Sequence, residues 1–268
     1  MVRKSRQARS RQRRHLLVAS MALLVVIAVT AGTLWWWTHQ KPPLDASTMC
    51  PSQGPLGHQV VLIDTTDPLN DAQKAALDLI LTRLAEKETP PGYLVSVFVL
   101  GEHFKTDAKP LIELCNPGTE QGHSELSENL SQIRRRYRDR FLQPLFAQTE
   151  QMLRNQSAKE SPILEMLQMV SLNSIARHDV DGPRRLIVLS DLLQNSKPLS
   201  MYREIPAYAD FAKTDYAGKT RIGFAGVEVE VWLLQNTTGE KQKRLADFWQ
   251  RYFLENKAVS FKLEPLPG

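Results

Sequence analysis

Val60-Val61-Leu62-Ile63-Asp64-Thr65-Thr66-Asp67-Pro68 is a run of β-branched and aliphatic residues that stops at a carboxylate. Apolar residues in succession, without polar alternation, suit a strand covered on both faces, as in a parallel sheet. Ligands of open α/β sheets sit just outside the carboxyl ends of such strands, so Asp64 marks the expected site. Arg185-Leu186-Ile187-Val188-Leu189-Ser190-Asp191 has the same form and closes on a hydroxyl and an acid. Two such strands running parallel bring Asp64 and Asp191 together.

Working outward, Asp67-Pro68 is a helix-start signal, with Asp67 as the expected cap and proline at a position where its missing amide costs nothing. Ala72, Ala76, Leu77, Ile80, Leu81 and Leu84 then recur at helical spacing. Pro90-Pro91-Gly92 leads into a second strand over Tyr93 to Leu100, which completes a βαβ unit. Pro110 to Cys115 reads as a short edge strand closed by Asn116-Pro117-Gly118. Ser124 to Leu153 reads as one long helix, with Leu130, Ile133, Tyr137, Phe141 and Leu145 as its stripe and a kink at Pro144. Ser161 is the expected cap of a further helix through Leu172, broken by Asp181-Gly182-Pro183. Residues 192–222 carry no clear pattern. Val227 to Leu234 is a strand, Glu240 to Asn256 a helix, and Val259 to Leu263 a last strand. The fold class expected is α/β, a doubly wound and mostly parallel sheet with right-handed crossovers.

The chain has 268 residues, of which 42% are hydrophobic, enough for one domain with a real core and an appendage. Its formal charge is +5, but Arg3, Lys4, Arg6, Arg9, Arg11, Arg13 and Arg14 supply seven positives, so the remainder carries −2. The basic character belongs to the tail of residues 1–15. Residues 16–37, LLVASMALLVVIAVTAGTLWWW, hold no charge and are long enough to cross a bilayer, whereas the core of a cleavable signal is shorter. The arginines place the N-terminus in the cytoplasm, and Trp35, Trp36 and Trp37 suit the far interface. Cleavage after Ala28 or Ala31 is the alternative, but it leaves the tryptophans without a purpose. A nucleic-acid role for the arginines is the weaker explanation beside an apolar span. Residues 38–57 are rich in turn formers and read as a linker, so the domain is expected over 58–268.

Cys50 and Cys115 are the only cysteines. If residues 110–115 run antiparallel to the second strand, Cys115 returns to the end of the sheet where the chain carrying Cys50 enters. A bridge is expected there outside the cytoplasm; two free thiols are the alternative.

Asp64-Thr65-Thr66-Asp67-Pro68, a hydroxyl at Ser161 opening a middle helix, and Asp191 after the fourth strand resemble the von Willebrand factor type A (vWA) domain over residues 58–264. In that family an Asp-x-Ser-x-Ser loop, a later Thr and a final Asp form a metal-ion-dependent adhesion site. The resemblance implies that Asp64, Thr66, Ser161 and Asp191 are metal ligands. Oxygen donors of this hardness suit Mg²⁺, with Mn²⁺ or Ca²⁺ as substitutes and water and a partner's carboxylate filling the other positions. Pro68 stands where the second loop hydroxyl belongs, Leu192 where a Gly usually follows the last Asp, and Ser161 in place of Thr. Without metal, Asp64 and Asp191 would cap helices, and Thr66 with Asp67 would order a turn.

The expected function is a protein-interaction domain on a single-pass anchor in a bacterial cytoplasmic membrane, with the domain in the periplasm and no enzymatic role. Arg134, Arg135 and Arg138 are secondary candidates for partner contact, against a plain solvated helix face. The competing class is a type II membrane enzyme such as a glycosyltransferase. Its metal-binding acids would be Asp179 and Asp181, yet these precede a strand where that enzyme needs them at a strand's end. A metal-free structural subunit is the third possibility.

Overall fold

A computed structural model describes residues 3–38, 42–101, 109–121, 129–153, 158–178, 180–234 and 238–266. The expected helix start at Ser124 and the acid Asp179 lie outside them. The chain divides into two compact units, residues 1–43 and 44–268.

The first unit is helix α1, Arg3–Thr38. Its segment Ala19–Trp37 is long and apolar enough to cross a membrane, and none of it is buried. Leu23, Leu24, Ile27 and Trp35 to Trp37 stand exposed along it, a contiguous apolar surface of the kind that marks a membrane or protein contact.

The second unit is a six-stranded sheet in the order β3-β2-β1-β4-β5-β6. The strands are β1 (Gly57–Asp64), β2 (Tyr93–Leu100), β3 (Ile112–Cys115), β4 (Arg184–Ser190), β5 (Val227–Leu233) and β6 (Ser260–Pro265). All neighbours pair in parallel except β3, which runs antiparallel to β2 at the edge. The expected doubly wound, mostly parallel sheet is therefore the one observed.

The strand interior explains the sequence pattern. Along β1, Val60 and Leu62 enter one core and Val61 and Ile63 the other; β4 divides Leu186 and Val188 from Ile187 and Leu189 in the same way. A strand covered on both faces favours apolar side chains on both, and the middle of β1 and of β4 follows that rule. One face is covered by helices α5 (Ile163–Val170) and α9 (Gly239–Glu255), the latter through Leu245, Phe248, Trp249, Tyr252 and Phe253. The other is covered by α2 (Asp71–Arg83) with Leu77, Ile80 and Leu81, and by the helix carrying Phe141 and Leu145.

That last helix runs as α3 (Leu130–Tyr137), a π-helical turn (Arg138–Leu142) and α4 (Gln143–Leu153). The wide turn lies just ahead of Pro144, which lacks the N–H that would continue the regular ladder. Helix α5 likewise passes through a π-helical turn, Ser171–Ile175, into α6 (Ala176–His178). The unpatterned segment after β4 forms α7 (Tyr208–Phe211) and α8 (Asp215–Lys219), and it gives Leu192, Leu193, Met201, Ile205, Phe211 and Ile222 to the core.

Compactness begins at Leu44, ahead of His58. Asp45 accepts the Ser47 and Thr48 amides at 2.9 and 2.7 Å and both of their hydroxyls, which hold its carboxyl well below the usual range. Cys115 N donates to Thr48 O at 2.8 Å and Leu56 N to Gly92 O at 2.9 Å. Cys50 and Cys115 form a disulfide with Cα atoms 4.8 Å apart.

Candidate functional site at the carboxyl edge of the sheet

The register sets the site. Ile63 lies opposite Leu189, so the next residues, Asp64 and Ser190, are neighbours at the strand ends, and Asp191 follows at once. Asp64 is the hub. Its Oδ1 accepts the Thr66 amide at 3.1 Å and the Thr66 hydroxyl at 2.7 Å, while Oδ2 accepts Ser190 Oγ at 2.7 Å and Ser161 Oγ at 3.3 Å. Burial pushes the Asp64 carboxyl up from its ordinary value, and these four hydrogen bonds, which favour the ionised form, pull against it.

Three of the four expected ligands, Asp64, Thr66 and Ser161, are thus in direct contact. Asp191 is buried at the neighbouring strand end, with Oδ1 accepting the Leu193 amide at 2.9 Å. Leu192, between them, takes φ 60, the left-handed region that favours glycine. The resemblance implied a Gly at this place, and the backbone at Leu192 has the conformation that Gly adopts most readily. The Leu192 carbonyl is fixed by Trp249 Nε1 at 2.9 Å.

Two expected caps are corrected. Helix α2 starts at Asp71 with Asn70 as its cap in a reciprocal pair with Gln73, because Asn70 reaches the free amide and Asp67 lies too far ahead. Asp67 instead accepts the Tyr202 hydroxyl at 3.1 Å. Ser161 makes no cap for α5; its hydroxyl is turned to Asp64, and Gln194 Oε1 takes the Leu164 amide at 2.8 Å in its place.

A cavity of about 290 Å³ opens beside the hub, lined by Thr66, Asp67, Lys159, Ser161, Asn195 and Tyr202. Tyr202 faces negative charge: burial first, then Asp191, Asp67 and Asp64, raise its phenol well above the ordinary value. Ser190 and Tyr202 were not singled out as site residues from sequence. Ser190 stood beside Asp191 as the hydroxyl closing its strand, whereas Tyr202 lay in the segment without a pattern.

The hydroxyls of Thr66 and Ser161 each donate their proton to Asp64 and retain oxygen lone pairs, and both residues line the cavity. Hydroxyl oxygens over two carboxylates are a hard donor set that suits Mg²⁺, and a cation would oppose the effect of burial on Asp64. Among the described residues no group of three or more His, Cys, Asp or Glu side chains could hold a metal, so the fit rests on the hydroxyls and on ligands from outside the chain.

No family model and no curated protein matches this chain. Among solved structures it is similar to the SpRpn10 VWA domain, at 12% identity and TM-score 0.38 over 79% of this chain and 89% of that one. It is also similar to human COPII-coat protein Sec24c, at 11% identity and TM-score 0.40, over 79% of this chain and 30% of that one. A third is an aerotolerance-related membrane protein from Bacteroides fragilis, at 10% identity and TM-score 0.36, over 77% and 91%. The fold rests on the strand order and pairing given above, and the site on its own geometry.

The remaining candidates lie elsewhere. Arg134, Arg135 and Arg138 are exposed on α3 and the π turn that follows it. Asp181 precedes β4, at the opposite end of that strand from Asp191. At that amino end is a cluster not anticipated from sequence: buried His58 Nε2 lies 2.8 Å from Ser96 Oγ and 3.3 Å from Ser174 Oγ, and half-buried His178 Nε2 lies 2.8 Å from Glu113 Oε1.

Proposed function

We propose that this is a membrane-anchored protein-interaction module of vWA type. Helix α1 holds it in a bacterial cytoplasmic membrane with its N-terminus inside and the domain in the periplasm. The contact site is the cavity at the carboxyl edge of the sheet. There Asp64, Thr66, Ser161 and Asp191 would hold a Mg²⁺, and a partner's carboxylate would complete its shell. The observation that carries this is the meeting of Asp64 and Thr66, from the loop after β1, with Ser161, from a second segment, in one hydrogen-bonded group beside a cavity.

Calorimetric titration of the full chain in detergent with Mg²⁺ or Mn²⁺ tests the metal. One saturable site is expected, lost in Asp64→Asn and in Ser161→Ala while the melting transition persists. No heat from the unsubstituted protein would remove the cation from the account. A metal-free interaction module is the second reading, favoured by Pro68 in place of a hydroxyl and by four donors already satisfying Asp64.

A further inference from the structure

The helix across the sheet from α5 and α9 carries Arg134, Arg135, Arg136, Arg138 and Arg140, all exposed, with Asp139 as the one acid among them. Arg134 pairs with Glu120 at 2.9 Å and Arg138 with Asp139 at 2.7 Å, both at the surface, where such pairs hold their partners weakly. Among the described residues no carboxylate lies within ion-pair distance of Arg135, Arg136 or Arg140. This face is strongly cationic in a chain whose residues beyond the basic tail sum to −2.

The charge of the face, and its tie to the segment that follows α1 in sequence, point to its partner. The Arg140 guanidinium donates to the Ala46 carbonyl, two residues from Leu44, where the compact unit begins. In sequence, residues 39–43 alone separate Thr38, the end of α1, from Leu44. We infer that the arginine face of α3 docks on anionic lipid headgroups of the membrane in which α1 is anchored. This rests on the anchored reading of α1 and is independent of the metal site. Guanidinium groups match phosphate in geometry, and basic groups near an anionic surface are attracted over about a Debye length.

Among the described residues every buried core residue lies between Met49 and Leu266, and the disulfide closes within the same unit, so residues 44–268 carry their own core and can be tested alone. That fragment is sedimented with vesicles of phosphatidylcholine, or of phosphatidylcholine with roughly a third phosphatidylglycerol. Binding is expected only to the anionic vesicles and is lost in about 0.5 M salt. Changing Arg134, Arg135, Arg136 and Arg138 together to Gln lowers it by about tenfold or more, whereas Lys at the same four positions retains most of it. Equal binding to both vesicles, or a Gln variant that folds and binds unchanged, would overturn the proposal. So would binding to soluble polyglutamate but not to the anionic vesicles, which would assign the face to an acidic protein. Alkaline extraction of membranes carrying the full chain tests α1 separately, and Asp64→Asn is expected to bind vesicles as the unsubstituted fragment does.

Discussion

Ser190 shows how much one hydroxyl settles at the site. It donates to Asp64 Oδ2 at 2.7 Å and accepts the Leu192 amide at 2.9 Å, in a place with no access for water. Ser190→Ala leaves a buried acceptor one donor short and orphans an amide, so unfolding in urea without divalent cation is expected to show a loss of about 1–3 kcal/mol. A change below about 0.5 kcal/mol would mean that the hub is not stabilised in this way. His58 gives the pH dependence. Burial first, then the His178 charge, brings its pKa from 6.5 down to about 4; Glu113 opposes this and Arg184 adds to it. Below its ordinary pKa the unfolded chain takes up a proton that the folded one refuses. Stability from this group is therefore complete above pH 6.5 and is lost as pH falls toward 4, by up to about 3 kcal/mol. Glu113, held low by His178, Ser96 and Arg177 against the effect of burial, adds its own loss below the usual carboxylate range. Urea titrations at about pH 7 and about pH 4.5 are expected to show a smaller difference for His58→Gln than for the unsubstituted protein. An equal difference would exclude His58 as the cause.

Elements were legible in sequence where one force dominated. The runs ending at Asp64 and Ser190-Asp191 gave themselves away because a strand covered on both faces favours unbroken apolar residues, and their common form put the two acids at one edge. Helix ends were harder, since Asp67, Ser161 and Asn70 are all able to cap, and the choice depends on partners far away in sequence: Tyr202 for Asp67, Asp64 for Ser161. The segment 192–222 was opaque because it is held by scattered anchors such as Met201, Ile205 and Phe211, not by a repeat. The same holds for residues 44–56, whose turn formers suggested a linker while their amides and carbonyls bond to Gly92 ahead of β2, to Cys115 of β3 and to Arg140. The disulfide secures that segment. Its ends are 65 residues apart, and closing such a loop stabilises by about 4 kcal/mol in the chain-entropy model. Cys50→Ser with Cys115→Ser, or reduction, is expected to lower the urea midpoint accordingly. No change on reduction would show that the segment is held by its hydrogen bonds alone.

The molecule as a whole consists of an apolar helix and a doubly wound domain with a hydrogen-bonded polar group around Asp64 at the carboxyl edge of its sheet. The helix and the sheet class could be read from composition and periodicity. The cavity could not, because Lys159, Asn195 and Tyr202 reach it from loops that only the folded chain brings together. The central claim is that this edge, and not another surface, receives a protein partner. The direct measurement is photo-crosslinking in native membranes, with a photoreactive phenylalanine analogue at Tyr202 and, as control, at Leu79, which is exposed on α2. The account predicts a protein adduct from position 202 that disappears in Asp64→Asn and on chelation and returns with Mg²⁺, with none from position 79. The same adduct from both positions, or one from position 202 indifferent to Asp64, would contradict it.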